Sequence, residues 1–130
     1  MFCYNHETLT RTAVSQLPGA RDYDVLFVDD GSTDGTAGLL AAIPGTELIR
    51  HAQNRGIGAA IRTAIHHARK EGHSFIVIMA GNGKDDFREV PRLLVPLQEG
   101  VADYVQGSRF LDGGAFENLP LARLFLLRIH

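Results

Sequence analysis

The sequence predicts an α/β fold, a mostly parallel sheet flanked by helices, on three observations. Val25-Leu26-Phe27-Val28 is a continuous apolar run that ends abruptly in Asp29-Asp30, as a buried parallel strand does when it reaches the edge of a sheet. Gly31-Ser32-Thr33-Asp34 then supplies turn and cap chemistry for a following helix. From Val25 to Gln106, strand-like and helix-like segments alternate. With 130 residues, 45% of them apolar, the chain is long enough for one domain with a real core, over residues 1–130.

Met1 to Tyr4 is short and apolar, and Asn5 is placed to cap a helix from about His6 to Leu17, with Leu9, Ala13, Val14 and Leu17 inside. Pro18-Gly19 ends it. After the Val25 strand, a helix over Thr36–Ile43 stops at Pro44-Gly45, and Glu47 to Arg50 reads as a short strand. Asn54-Arg55-Gly56-Ile57-Gly58 leads into a helix reaching about Glu71, with Ile57, Ile61, Ala64, Ile65 and Ala68 on its buried face. Phe75 to Met79 is another apolar strand, ending in Ala80-Gly81-Asn82-Gly83-Lys84-Asp85-Asp86. Arg88 to Gln98 is a helix that buries Val90, Leu93, Leu94 and Leu97, with Pro91 tolerated in its first turn and Gly100 beyond its end. Ala102 to Gln106 is a last strand, followed by Gly107-Ser108-Arg109-Phe110, a loop, and a helix from Pro120 carrying Arg123 and Arg128.

Composition excludes several classes. The net charge is −2 and the basic residues are scattered, which argues against nucleic acid as a partner. Cys3 is the only cysteine, so no disulfide or cysteine zinc site is available. No apolar run approaches the ~18 residues of a spanning helix. Asp30 to Gly35 copies half of a calcium loop, but position twelve would be Ala41 instead of a bidentate glutamate. Haloacid-dehalogenase chemistry needs an Asp-x-Asp spacing that Asp29-Asp30 lacks. His66 and His67 are neighbours on a helix, point in different directions and read as surface or boundary residues.

Carboxylates at the carboxyl edge of a parallel sheet sit where such sheets bind ligands, and free amides at a helix start favour an anion. Asp29 and Asp30 can accept hydrogen bonds from a base or ribose. Gly56 and Gly58 let backbone amides approach a phosphate that Arg55 neutralises.

Val28-Asp29-Asp30-Gly31-Ser32-Thr33-Asp34-Gly35-Thr36 resembles the nucleotide-sugar loop of family 2 inverting glycosyltransferases, especially the branch of dolichol-phosphate (polyprenyl-phosphate) mannose synthases. Cys3-Tyr4-Asn5, Asn54-Arg55-Gly56-Ile57-Gly58-Ala59-Ala60 and Gly107-Ser108-Arg109-Phe110 are similar to three further motifs of that family, in the same order. The resemblance implies a Rossmann-like, glycosyltransferase A-type sheet and inverting transfer of a hexose from a nucleotide diphosphate sugar, with polyprenyl phosphate as the expected acceptor. It places Tyr4, Asn5, Asp29, Asp30, Gly31, Ser32, Asn54, Arg55, Gly56 and Gly58 around the nucleotide sugar, and Arg109 and Arg123 at the catalytic step. Lys84 and Asp85 are added from the residues themselves, as a charge partner for the diphosphate and as a catalytic acid following the Met79 strand end.

The family carries two aspartates, one residue apart, at the strand end that here reads Ala80 and Asn82. Three expectations stay open for magnesium or manganese: a rearranged site using Asn82 with Asp85 or Asp86, metal-independent diphosphate binding helped by Lys84, or no catalysis. A non-catalytic nucleotide-sugar-binding module is the alternative function. By the resemblance the chain is truncated at both ends. Most of the first, central strand is absent before Phe2, leaving its two neighbours without a shared partner, and acceptor-presenting helices are absent after His130. The expected location is cytoplasmic, at the inner face of the membrane.

Overall fold

The computed structural model describes residues 1–108 of the chain. Its centre is a three-stranded parallel sheet, β1 (Phe2–Cys3), β2 (Leu26–Asp29) and β3 (Glu47–Arg50), in the order β1-β2-β3. Four helices accompany it: α1 (Glu7–Ser15), α2 (Thr36–Ala41), α3 (Ile57–Lys70) and α4 (Val90–Gln98), the last preceded by a 3-10 turn over Phe87–Glu89. This is the flanked parallel sheet the sequence predicts.

Alternation along β2 divides the interior into two layers. Val25 and Phe27 join Leu40, Phe87 and Val90 in the main core, while Val28 points to the opposite face, where α3 crosses β2. Val25, Phe27 and Val28 are all buried, which explains an unbroken apolar run where a one-sided strand would alternate.

Several expectations fail for identifiable reasons. Phe75 to Met79 is not a strand, and its only ladder contact is a parallel bridge between Phe2 and Ala80. A strand needs partners for its backbone groups, and β1 is two residues long. Ala102 to Gln106 likewise forms no strand, and Tyr104 is 77% exposed. Asn5 does not cap α1: it sits at φ 47° with its side chain turned towards Thr33, and the first helical amide, of Glu7, donates to Asp34. On α1, Thr10 is buried and Leu9 exposed, because the Thr10 hydroxyl donates to the Gly81 carbonyl. On α3 the small pair Ala59-Ala60 seats against the sheet, leaving Ile57 and Ile65 exposed. The predicted stripe of α4 holds, with Val90 buried and Leu93, Leu94 and Leu97 half-buried.

Candidate functional site

The register of β2 and β3 builds the site. Asp29 pairs with Arg50 across the ladder, so the next residues, Asp30 and His51, also meet side by side beyond the strand ends. Two acids closing one strand thus face an arginine and a histidine closing its neighbour.

Asp30 is 4% exposed and fully engaged. His51 Nδ1 lies 2.6 Å from Oδ1, the Arg55 amide donates to the same oxygen at 3.0 Å, and the Gly56 amide donates to Oδ2 at 2.7 Å. The far nitrogen of His51 meets the Thr63 hydroxyl at 2.9 Å, tying the cluster to α3. Burial pushes the Asp30 carboxyl up, but the bonds from His51, Arg55 and Gly56 outweigh it and hold the group below the usual carboxylate range. This corrects the expectation that loop amides are free for a phosphate: those of Arg55 and Gly56 are spent on Asp30. Gly56, at φ 85° and ψ 158°, turns the chain from that anchored loop into α3.

Asp29 is wholly buried. Its Oδ1 accepts the Ser32 amide at 3.2 Å, and Arg50 Nε lies 3.0 Å from its Oδ2 as an ion pair without hydrogen-bond alignment. Arg50 also donates to the Ser32 carbonyl at 2.7 Å. From the other side, the Asn5 amide donates to the Ser32 hydroxyl and the Asn5 side chain accepts the Thr33 amide. Asp34 accepts the Glu7 and Thr36 amides, binding the starts of α1 and α2 to the same loop. Gly31, at φ +76°, sits where a Cβ would lie 2.7 Å from the Asn54 nitrogen. Only glycine lets the two loops pack this closely.

Over these struts lies a groove of about 280 Å³ at the carboxyl ends of β1 and β2. Of the predicted residues, Tyr4, Asp30, Asn54, Gly56 and Asn82 line it. Asn5, Asp29, Gly31 and Ser32 lie outside that lining and hold the loop. Arg55, Gly58 and Lys84 are exposed, and neither cationic side chain has an ion-pair partner among the described residues. Arg109 and Arg123 lie outside the described residues. His51, Arg50 and Thr63 were not singled out by sequence reasoning, which gave Asp34 only the turn and cap chemistry that it supplies to Thr36. The signal was available in the first two, since Arg50-His51 ends the strand after Asp29-Asp30.

The segment after Met79 does not fit a protein-held divalent cation. Asp85 Oδ2 accepts the Ala80 amide at 2.8 Å and Asn82 Oδ1 accepts the Lys84 amide at 3.2 Å. Asp86 caps the following turn and pairs with Arg88. No group of three or more acids, histidines or cysteines converges among the described residues, whereas a hard cation needs several charged oxygens.

The site's sequence context agrees with known proteins. Relatives include a UDP-N-acetylglucosamine–dolichyl-phosphate N-acetylglucosaminyltransferase of Methanococcus voltae, 25% identical over 92% of this chain and 54% of its own. A polyprenol monophosphomannose synthase of Mycolicibacterium smegmatis is 36% identical over 78% of this chain and 40% of its own. An undecaprenyl-phosphate mannosyltransferase of Micrococcus luteus is 31% identical over 92% and 51%. The chain thus spans about half the length of the curated relatives it matches. The model of the glycosyl transferase family 2 matches residues 1–129. A double-acid loop fastened to an Asn-Arg-Gly loop at the carboxyl edge of a parallel sheet, matched from end to end by that model, makes this chain a member of glycosyl transferase family 2.

Proposed function

We propose that the groove binds a nucleotide diphosphate sugar and that the chain serves inverting transfer of the sugar to a polyprenyl phosphate at a membrane surface. One observation carries the reading: Asp30 anchors the Asn54–Gly56 loop beside the groove, leaving Arg55 exposed at its rim. Tyr4 and Asn54 would meet the nucleoside, and Arg55 and Lys84 the diphosphate. The Gly58 amide lies in the first turn of α3, where the helix favours negative charge. Asp29, Asn5, Gly31 and Ser32 act by keeping the loop in place.

In the transfer, an acceptor phosphate oxygen forms a bond to the anomeric carbon as the bond from that carbon to the donor diphosphate breaks, inverting the centre. The nucleotide diphosphate leaves with the electron pair. A phosphate acceptor is already ionised at neutral pH and needs no strong base. Catalysis then rests on positioning and charge, with Arg109 and Arg123 assigned to the acceptor phosphate. Asp85, whose Oδ2 accepts the Ala80 amide, would hold the turn that carries Lys84. A lipid-phosphate acceptor of the kind in the relatives' names would bring the chain to a membrane surface, for which the cytoplasmic face is our proposal; no helix among the described residues is long and apolar enough to cross a membrane.

The poor cation donor set favours a second reading, a non-catalytic nucleotide-sugar-binding module. Incubating the chain with labelled nucleotide diphosphate sugars and polyprenyl phosphate in vesicles separates the two. Label extracted with the lipid supports transfer, and donor binding without lipid label supports the module. A folded chain that does neither refutes both.

A further inference from the structure

The buried side of α3 is set by Ala59 and Ala60, and the side opposite carries Gly58, Arg62, Ile65 and Arg69. At spacings of i, i+4, i+7 and i+11 these four share one stripe about 16 Å long. All four are exposed. The stripe begins beside the groove, which Gly56 and Ile57 line. Arg62 reaches back towards that end, since a Cβ on Gly58 would lie 3.6 Å from its Nη1.

The positive charge on this stripe is unanswered. No acid occurs in the 14 residues of α3. Other helices pair their arginines within their own surface, Arg11 with Glu7 at 2.9 Å and Arg92 with Glu89 at 2.8 Å. The side chains of Arg62 and Arg69 make neither an ion pair nor a hydrogen bond among the described residues. The helix dipole accounts for Arg69 and Lys70 in the last turn, but not for Arg62 in the middle. Arg55, exposed at the groove end, extends the same positive face. The chain as a whole has a net charge of −2, so this face does not reflect a generally basic protein.

We propose that the outer stripe of α3 is a membrane-docking face, which rests on acidic lipid headgroups and holds the mouth of the groove at the bilayer surface. The charge of the stripe is complementary to such a surface. Long arginine stems lie along it with their charged ends at the headgroup phosphates, and Ile65 between them meets the acyl boundary. Single-stranded nucleic acid would call for aromatic side chains among the cations, and the stripe has an isoleucine instead. This docking rests on the proposed lipid-phosphate acceptor and adds which face of the chain meets the membrane.

The test is co-sedimentation of the chain with vesicles of phosphatidylcholine alone and of an equal mixture with phosphatidylglycerol. The mixed vesicles should bind it more tightly, and added salt should release it. Arg62→Gln with Arg69→Gln should weaken that binding by roughly fivefold per arginine, and Ile65→Ser by roughly threefold. Replacing both arginines with lysine should restore most of it. Arg11→Gln with Arg92→Gln changes the net charge equally on other helices and should stay within about twofold of the native chain. Equal binding to both vesicle types overturns the proposal, as does equal weakening by the two glutamine pairs. So does binding to duplex DNA that matches the mixed vesicles while Ile65→Ser changes neither, since the stripe would then be a general polyanion patch. Calorimetric titration with nucleotide diphosphate sugars, without vesicles, separates this result from the donor site: the stripe variants should keep the native donor affinity. Stripe-dependent vesicle binding by a chain that takes no donor leaves the docking face standing and removes the donor reading alone.

Discussion

Replacing Asp30 with asparagine keeps the side chain's shape and removes its charge at the point where three elements meet. In the native chain the two carboxylate oxygens accept from His51 Nδ1, the Arg55 amide and the Gly56 amide at 2.6, 3.0 and 2.7 Å. Asparagine has one acceptor oxygen. Placed at Oδ1 it keeps His51 and Arg55 as weaker, neutral bonds, and its amide nitrogen then faces the Gly56 N–H, donor against donor. A hydrogen bond to a charged group is worth about 1.5–3 kcal/mol net, and a donor buried without a partner costs about 1–3 kcal/mol. Asp30→Asn should therefore destabilise the chain by about 2–4 kcal/mol, a large share of an ordinary domain's ~5–15 kcal/mol. Urea unfolding at pH 7 measures it. The sign with pH follows from the lowered Asp30 pKa. The carboxylate's contribution is complete above its unfolded value of ~3.9 and is lost as pH falls through the lower folded-state value. The two chains should differ in full at pH 7 and converge in strong acid. A loss under about 1 kcal/mol at pH 7 would refute the claim that this carboxylate holds the Asn54–Gly56 loop.

Gly31→Ala forces a side chain into a positive-φ position against the Asn54 backbone, so we expect a loss of about 2–4 kcal/mol by thermal unfolding. Arg50→Ala removes the ion pair with the wholly buried Asp29 and the bond to the Ser32 carbonyl, costing about 2 kcal/mol in urea titrations. The Met1 amino group falls from 8.0 to about 6 through burial, so the unfolded chain binds more protons between those values and stability should rise from pH 6 to pH 8. Acetylating Met1 should abolish that rise, as read by melting temperature across the range.

Much of the fold is legible in the sequence because burial imposes strong patterns. The Val25 run, the Glu47–Arg50 strand and the Val90, Leu93, Leu94, Leu97 stripe all reach their predicted places. The failures share one cause: strands and caps are settled by neighbours distant in sequence. Phe75 to Met79 has the composition of a strand and lacks the partner. Asn5 has the chemistry of a cap, yet Thr33, 28 residues away, takes its side chain. For the site, the sequence marks Asp29 and Asp30 but not their division of labour, which depends on register. One residue along the ladder separates Asp29, buried against Arg50, from Asp30, bonded to His51 at the groove. The acids that looked like ligands for a nucleotide are largely fasteners for the loops that would hold it.

The central claim, a donor site in the groove over Asp30, is tested most directly by calorimetric titration of the chain with nucleotide diphosphate sugars, with and without magnesium or manganese. Binding should persist without metal and weaken at least tenfold in Arg55→Ala and Lys84→Ala. Absence of binding by a chain that circular dichroism shows to be folded would contradict it.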